Sequence, residues 1–246
     1  MSQKFVNPNF KPSTPKKFRI YNQISGLFVI NKPKDWTSFD VVAKIRNKLN
    51  VKKVGHTGTL DPQATGVLVL CVGKGTQLVQ KLTGLDKEYI STITFGGTST
   101  TDDIEGEIVP TPNASEVPLS EIESSLDIFK GTFPQIPPNF SAKKIKGKKA
   151  YELARKGKEV ILEPSQVTVN NIEILDYKWP VLKLKIQCGK GFYVRSLARD
   201  LGQKLGVGGY LTGLERTKVG HFTIESAITV EQADEKTILP LSAARI

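Results

Sequence analysis

His56, Thr57, Thr59 and Asp61 crowd into one short part of the stretch Lys53–Val72, KVGHTGTLDPQATGVLVLCV. Of these, Asp61 carries the sharpest chemistry, because a carboxylate can act as a nucleophile, as it does in glycosidases. Gly55, Gly58 and Gly66 interrupt any regular element here, and Pro62 biases Asp61 away from helix. The apolar run Val67–Val72 that follows has the length and Val/Leu content of a buried strand. A glycine-punctuated loop is thus delivered onto a rigid strand, which is where chemistry tends to sit. The same residues also suit a plain Asp-Pro turn whose Thr and Asp side chains cap nearby helices. Pattern alone leaves both readings open.

Composition narrows the partner. The chain has 246 residues, 39% of them hydrophobic, enough for one large domain or two small ones. A net charge of +11 makes a polyanion the leading partner class. No stretch approaches the ~20 apolar residues of a spanning helix, and the N-terminus lacks the apolar core of a signal peptide; a cytoplasmic protein is the expectation. Cys71 and Cys188 sit in apolar runs without a CxxC pair, and His56 and His221 are the only histidines, so neither a disulfide scaffold nor a metal site is expected. There is no Walker A string and no complete GxGxxG, and Gly73-Lys74-Gly75-Thr76 lacks P-loop spacing, so no cofactor is expected either.

The string GHTGTLDPQATG, Gly55 to Gly66, resembles the signature loop of the TruB family of pseudouridine synthases. The resemblance implies that Asp61 is the catalytic residue. GFYVRSLARDLG resembles the family's G-T-Y-I-R-[ST]-[IL] motif and assigns Arg195 as the arginine that pairs with it. Tyr89 in KEYISTITF matches the tyrosine that stacks on the flipped base, and His56 matches a histidine near that base's RNA neighbours. Leu214 corresponds to a pocket leucine, Lys32 to the lysine of a KPxGxxS-like turn, and Asp103 to the second aspartate of a T-D-T-x-D-x-x-G segment. Two departures stand out: Asp35 occupies the usual glycine of the KPxGxxS turn, and Thr100 replaces the first aspartate of the other segment. In Ile136–Arg155, Phe140 and Lys143 replace the family's tyrosine and leucine.

The elements that must hold these residues read as follows. Gly26–Asn31 predicts a strand, and Thr37 or Ser38 caps a helix with Val41, Val42, Ile45 and Leu49 on its apolar face. Thr76–Leu82 predicts a short helix and Lys87–Phe95 a two-faced strand. Ser120 and Glu123 form a capping-box pattern ahead of Ile122, Leu126 and Phe129. Strands are predicted at Val167–Leu175 and Val181–Cys188, then a helix burying Val194, Leu197, Leu201 and Leu205. Without a regular βαβ rhythm, this is α+β with mainly antiparallel sheet. The resemblance implies the pseudouridine synthase fold, a mixed sheet with a central RNA-binding cleft.

Residues 1–24 read as a flexible basic arm and 25–246 as the catalytic domain, with an RNA-gripping insert at about 136–160. Lys143, Lys144, Lys146, Lys148 and Lys149 crowd around Gly147 there, between Phe140 and Tyr151; Lys144, Lys148 and Lys149 are the expected phosphate contacts. The chain ends at Ile246, shortly after residues resembling the end of the catalytic domain, so a PUA-type domain is not expected. The resemblance implies a monomeric isomerase that converts the T-loop uridine at position 55 of tRNA to pseudouridine, recognising the T stem-loop. The rivals are a related synthase acting on ribosomal or guide-bound RNA, and a non-catalytic RNA-binding module. Binding alone does not need Asp61, Tyr89 and Arg195 together, which argues against the last.

Overall fold

The computed structural model describes residues 21–140, 144–145, 148–149 and 162–246. Residues 1–20 of the expected arm, and Lys143, Lys146 and Tyr151 of the expected insert, lie outside the described residues. Strand β1 (Gly26–Lys32) leads into helix α1 (Ser38–Lys48), then β2 (Val54–His56) and β3 (Thr65–Val72). A 3-10 turn over Gly73–Leu78 feeds the short α2 (Val79–Thr83), where the sequence predicts one helix over Thr76–Leu82. Next come β4 (Lys87–Phe95), β5 (Gly97–Ser99), β6 (Ile108–Pro110), α3 (Leu119–Asp127) and β7 (Gly131–Gln135). A short ladder follows, β8 (Lys144–Ile145) against β9 (Lys148–Lys149), its register setting Lys144 opposite Lys149. The chain finishes with β10 (Ser165–Lys178), β11 (Val181–Cys188), α4 (Val194–Lys204), β12 (Gly209–Val219) and β13 (Phe222–Thr223).

One sheet runs β1-β3-β12-β4-β11-β10-β7, with β2 added to β3 and β13 to β12. Its pairings are antiparallel except for a short parallel contact of β3 with β12, where Thr65 and Gly66 face Glu215 and Arg216. Here Gly66 has φ 99°, and a Cβ on it would stand 2.3 Å from the Arg216 carbonyl oxygen. Only glycine permits that approach. The sheet is therefore two antiparallel halves joined at a glycine. Helices α1, α3 and α4 pack their apolar residues into a core shared with inward-facing residues of β1, β3, β4 and β11. Among the described residues, no helix is long and apolar enough to cross a membrane.

The predicted helix faces are present: Val41, Val42, Ile45 and Leu49 are buried, as are Val194, Leu197 and Leu201, with Leu205 partly so. Thr37 is the cap of α1, in a reciprocal box with Asp40. At α3 the expected Ser120–Glu123 box does not form. Pro118 is the N-cap and no side chain caps it, so Ser120 already lies inside the helix. Proline starts a helix cheaply because the N–H it lacks would have had no intrahelical partner there. Residues 21–24 are also docked: Asn22 donates from its backbone to Asn50 and from its side chain to the Leu49 carbonyl, 2.9 Å each.

Candidate active site

The loop between β2 and β3 is pinned on both sides of Asp61. Before it, the Ser38 hydroxyl accepts from Leu60 N–H at 2.8 Å and donates to the Leu60 carbonyl at 3.1 Å. After it, the Pro62 carbonyl accepts from Asp35 N–H at 2.9 Å and from Lys32 Nζ at 3.1 Å. Asp35, the residue standing in for glycine, has φ 67°. That is the left-handed region, which glycine enters freely and which aspartate is among the few other residues to adopt.

Lys32 is fully buried and spends its ammonium on three carbonyls, those of Pro33, Trp36 and Pro62, at 2.8, 2.6 and 3.1 Å. Burial holds its pKa down at about 8, with Asp61 and Asp35 pulling it back up. With its three donors used inside the protein, it steadies the Asp61 loop from behind. On the activity the resemblance implies, Lys32→Met should lower kcat while leaving tRNA affinity within a few-fold. It should also destabilise the fold by about 3 kcal/mol, since buried carbonyls lose their partner. Urea unfolding beside a binding titration checks both; a variant that loses RNA affinity and keeps its stability would put Lys32 at the substrate instead.

Arg195 approaches Asp61 from the opposite wall. Gly191, at φ 85°, turns the chain into α4. The helix start is fixed from a distance: the buried Gln135 side chain accepts from Tyr193 N–H at 2.9 Å and donates to its carbonyl at 3.1 Å. Arg195 is only 6% exposed and puts Nε 3.0 Å from Asp61 Oδ2 and Nη1 3.4 Å from Asp103 Oδ2. The Thr101 and Phe140 carbonyls accept from its Nη1 and Nη2 at 3.3 and 3.1 Å. One turn on, Arg199 grips Asp102 at 2.8 Å, so two arginines on one helical face clamp the loop after β5. Asp103 thus reaches the site through Arg195. Its own Oδ1 accepts from the Thr101 hydroxyl at 2.5 Å and from Glu105 N–H at 3.1 Å.

Between the two walls lies a cavity of about 410 Å³, lined by His56, Asp61, Tyr89, Arg195, Leu214 and Arg216 among others. That size suits a small organic group such as a nucleoside. The Asp61 side chain is 38% exposed on the cavity wall. Desolvation raises its pKa, Arg195 pulls it down, Asp103 pushes it up again and Lys32 opposes, with a net shift above the ordinary aspartate value. Tyr89 is buried on β4 and its phenol is also pushed up by desolvation, against the pull of Arg216. His56 accepts from Gly58 N–H at Nδ1, 3.3 Å.

Asp61, Tyr89, Arg195, His56 and Leu214 therefore share one cavity, with Lys32 and Asp103 behind its walls. Lys144, Lys148 and Lys149 belong to the separate β8–β9 ladder. Arg216 was missed from the sequence. Its signal was Leu214, two residues earlier on what proves to be strand β12, where alternate residues share a face.

The profile of the TruB family pseudouridylate synthase N-terminal domain matches residues 46–194. The chain belongs to the TruB family. A second profile, the tRNA pseudouridylate synthase B C-terminal domain, matches residues 195–239. This TruB-family chain is 44% identical over 215 residues to a tRNA pseudouridine synthase B of Parabacteroides distasonis, covering 85% of this chain and 92% of that one. It is 47% identical over 213 residues to the protein of the same name from Caldanaerobacter subterraneus, covering 86% and 75%. Among solved structures, a Cbf5-Nop10-Gar1 complex superposes with a TM-score of 0.68 at 28% identity. That match covers 89% of this chain and 61% of the other. The TruB-family fold is the pseudouridine synthase fold the sequence leads one to expect.

Proposed function

We propose that this chain isomerises the T-loop uridine at position 55 of tRNA to pseudouridine, with Asp61 as the nucleophile on a flipped-out base. The observation that carries the reading is the Asp61–Arg195 pair at 3.0 Å on the wall of a nucleoside-sized cavity, in a chain of the TruB family. The reaction breaks the N1–C1′ bond and joins C1′ to C5 of the same base; C5 releases its proton and N1 takes one up, so the overall composition is unchanged. Flipping costs a few kcal/mol, offset by contacts to the extruded base. Leu214 supplies an apolar wall, Tyr89 stacks on the base beside C5, and His56 positions the neighbouring nucleotides. Arg195 keeps Asp61 charged enough to attack, at the sugar or at the base, through a planar guanidinium that stays protonated.

The test is direct. Unmodified tRNA and ribosomal RNA transcripts are incubated with the protein and pseudouridine is mapped along each. Modification at the T-loop uridine alone supports the reading, whereas modification of ribosomal RNA in its place, or none, overturns it. Sedimentation with and without tRNA should show a single protein chain per complex.

The lysine ladder extends the RNA contact beyond the cleft. Replacing Lys144, Lys148 and Lys149 together with alanine should weaken tRNA binding and flatten its salt dependence. Each lost phosphate contact should reduce the log–log slope by about 0.7–0.9. An unchanged slope would return these lysines to a solvated face.

A further inference from the structure

Arg216 is the largest fully buried side chain of the described residues, only 1% exposed. Buried charges are ordinarily paired. Yet among the described residues no carboxylate lies within ion-pair distance of this guanidinium, whereas Arg195 and Arg199 each have two. Its donors go to backbone: Nε to the Val67 carbonyl at 2.7 Å and Nη2 to the Gly58 carbonyl at 3.0 Å. The first bond ties β12 to β3, and the second ties it to the loop that carries Asp61. On its other edge, β12 pairs Arg216 directly with Tyr89 of β4. Its charge is felt around the cavity: it opposes protonation of Lys32 and Lys87 and favours ionisation of the Tyr89 phenol.

A neutral donor could hold two carbonyls at less cost, since an uncompensated buried cation is destabilising. Such a charge is useful where negative charge develops during the reaction. When the N1–C1′ bond breaks, the electron pair stays on the base and spreads to its carbonyl oxygens. The carbonyl at C4 neighbours C5, the carbon beside which the proposed reaction places Tyr89.

We infer that Arg216 is a positioning residue that acts through Tyr89: its buried charge polarises the phenol, making it a stronger hydrogen-bond donor to a uracil carbonyl, as the base leaves the sugar, than burial alone would leave it. Arg216 forms and breaks no bond itself, and the Tyr89 proton is shared without being given up. The inference rests on the proposed isomerase reaction.

The experiment is a double-mutant cycle on the full chain, using tRNA tritiated at uridine C5, read by single-turnover tritium release beside tRNA binding and thermal melting. Arg216→Lys keeps a cation and loses the planar fork. It should slow the single-turnover rate about 30-fold while tRNA affinity stays within about threefold, and Tyr89→Phe should slow it by at least as much. The double variant should be no slower than Tyr89→Phe, within about threefold, because the effect of Arg216 passes through the missing hydroxyl. Losses that multiply would overturn the inference and leave Arg216 a structural tie. A Tyr89→Phe rate equal to wild type would overturn it without any Arg216 variant, so the test survives if Arg216→Lys does not fold. An inactive wild-type chain would sink the function reading itself; an active wild type with multiplying losses sinks only the role of Arg216.

Discussion

Asp61→Asn is expected to lower turnover by at least about a thousandfold, roughly 4 kcal/mol of transition-state stabilisation, with tRNA affinity within a few-fold of wild type. Asparagine keeps the size of the side chain and one acceptor oxygen, and removes the charge proposed to attack. Tritium release from C5-labelled uridine, beside a binding titration, measures both quantities. Residual turnover within tenfold of wild type would take Asp61 out of its role. The sign of its pKa shift adds two consequences. Because the folded protein raises the Asp61 pKa, the ionised fraction drains away as pH falls through a value above that of an ordinary aspartate. The acid limb of kcat/KM should lie correspondingly high. A raised carboxyl pKa also means that the ionised group costs stability at neutral pH, a cost that appears as pH climbs from the unfolded value through the folded one. Asp61→Asn should accordingly melt at or above the wild-type temperature. On the proposed mechanism, the site gives up some stability to keep a reactive charge in place.

Arg195→Met should be the most damaging change outside Asp61. It strands Asp61 and the 9%-exposed Asp103 without their common cation and frees two carbonyls. Removing one partner of a buried pair costs about 3–5 kcal/mol, which corresponds to a fall of roughly 6–20 °C in melting temperature for a chain of this size. Turnover should fall at least about a hundredfold. Arg195→Lys keeps the charge and loses the fork, so it should recover most of the stability and less of the rate. The pH profile separates the electrostatic role from the mechanical one. Arg195 opposes the upward shift of Asp61, so the acid limb should move up further in Arg195→Met and less in Arg195→Lys. An acid limb that stays put in both variants would make Arg195 a brace for the loop and nothing more.

The sequence by itself determined the strong local elements and the chemistry-bearing loop. The capped α1, the alternating β4 and β11 and the apolar face of α4 were legible because each obeys one short-range period. Asp61, Arg195 and Tyr89 were legible because their flanking strings resemble one family. What it did not determine was whatever depends on partners distant in the chain. Strand β12, with glycines at 209 and 213 and charges at 215, 216 and 218, has no clean alternation, yet it lies inside the sheet between β3 and β4. It is a strand because β3 and β4 supply its hydrogen bonds, a stabilisation invisible in its own residues. The burial of Lys32 and the placement of Asp103 behind Arg195 were likewise decided by packing. So was Arg216: in the sequence it is one more arginine in a basic chain, and only the pairing of β12 with β3 at Gly66 and with β4 at Tyr89 withdraws it from water and sets it opposite Tyr89.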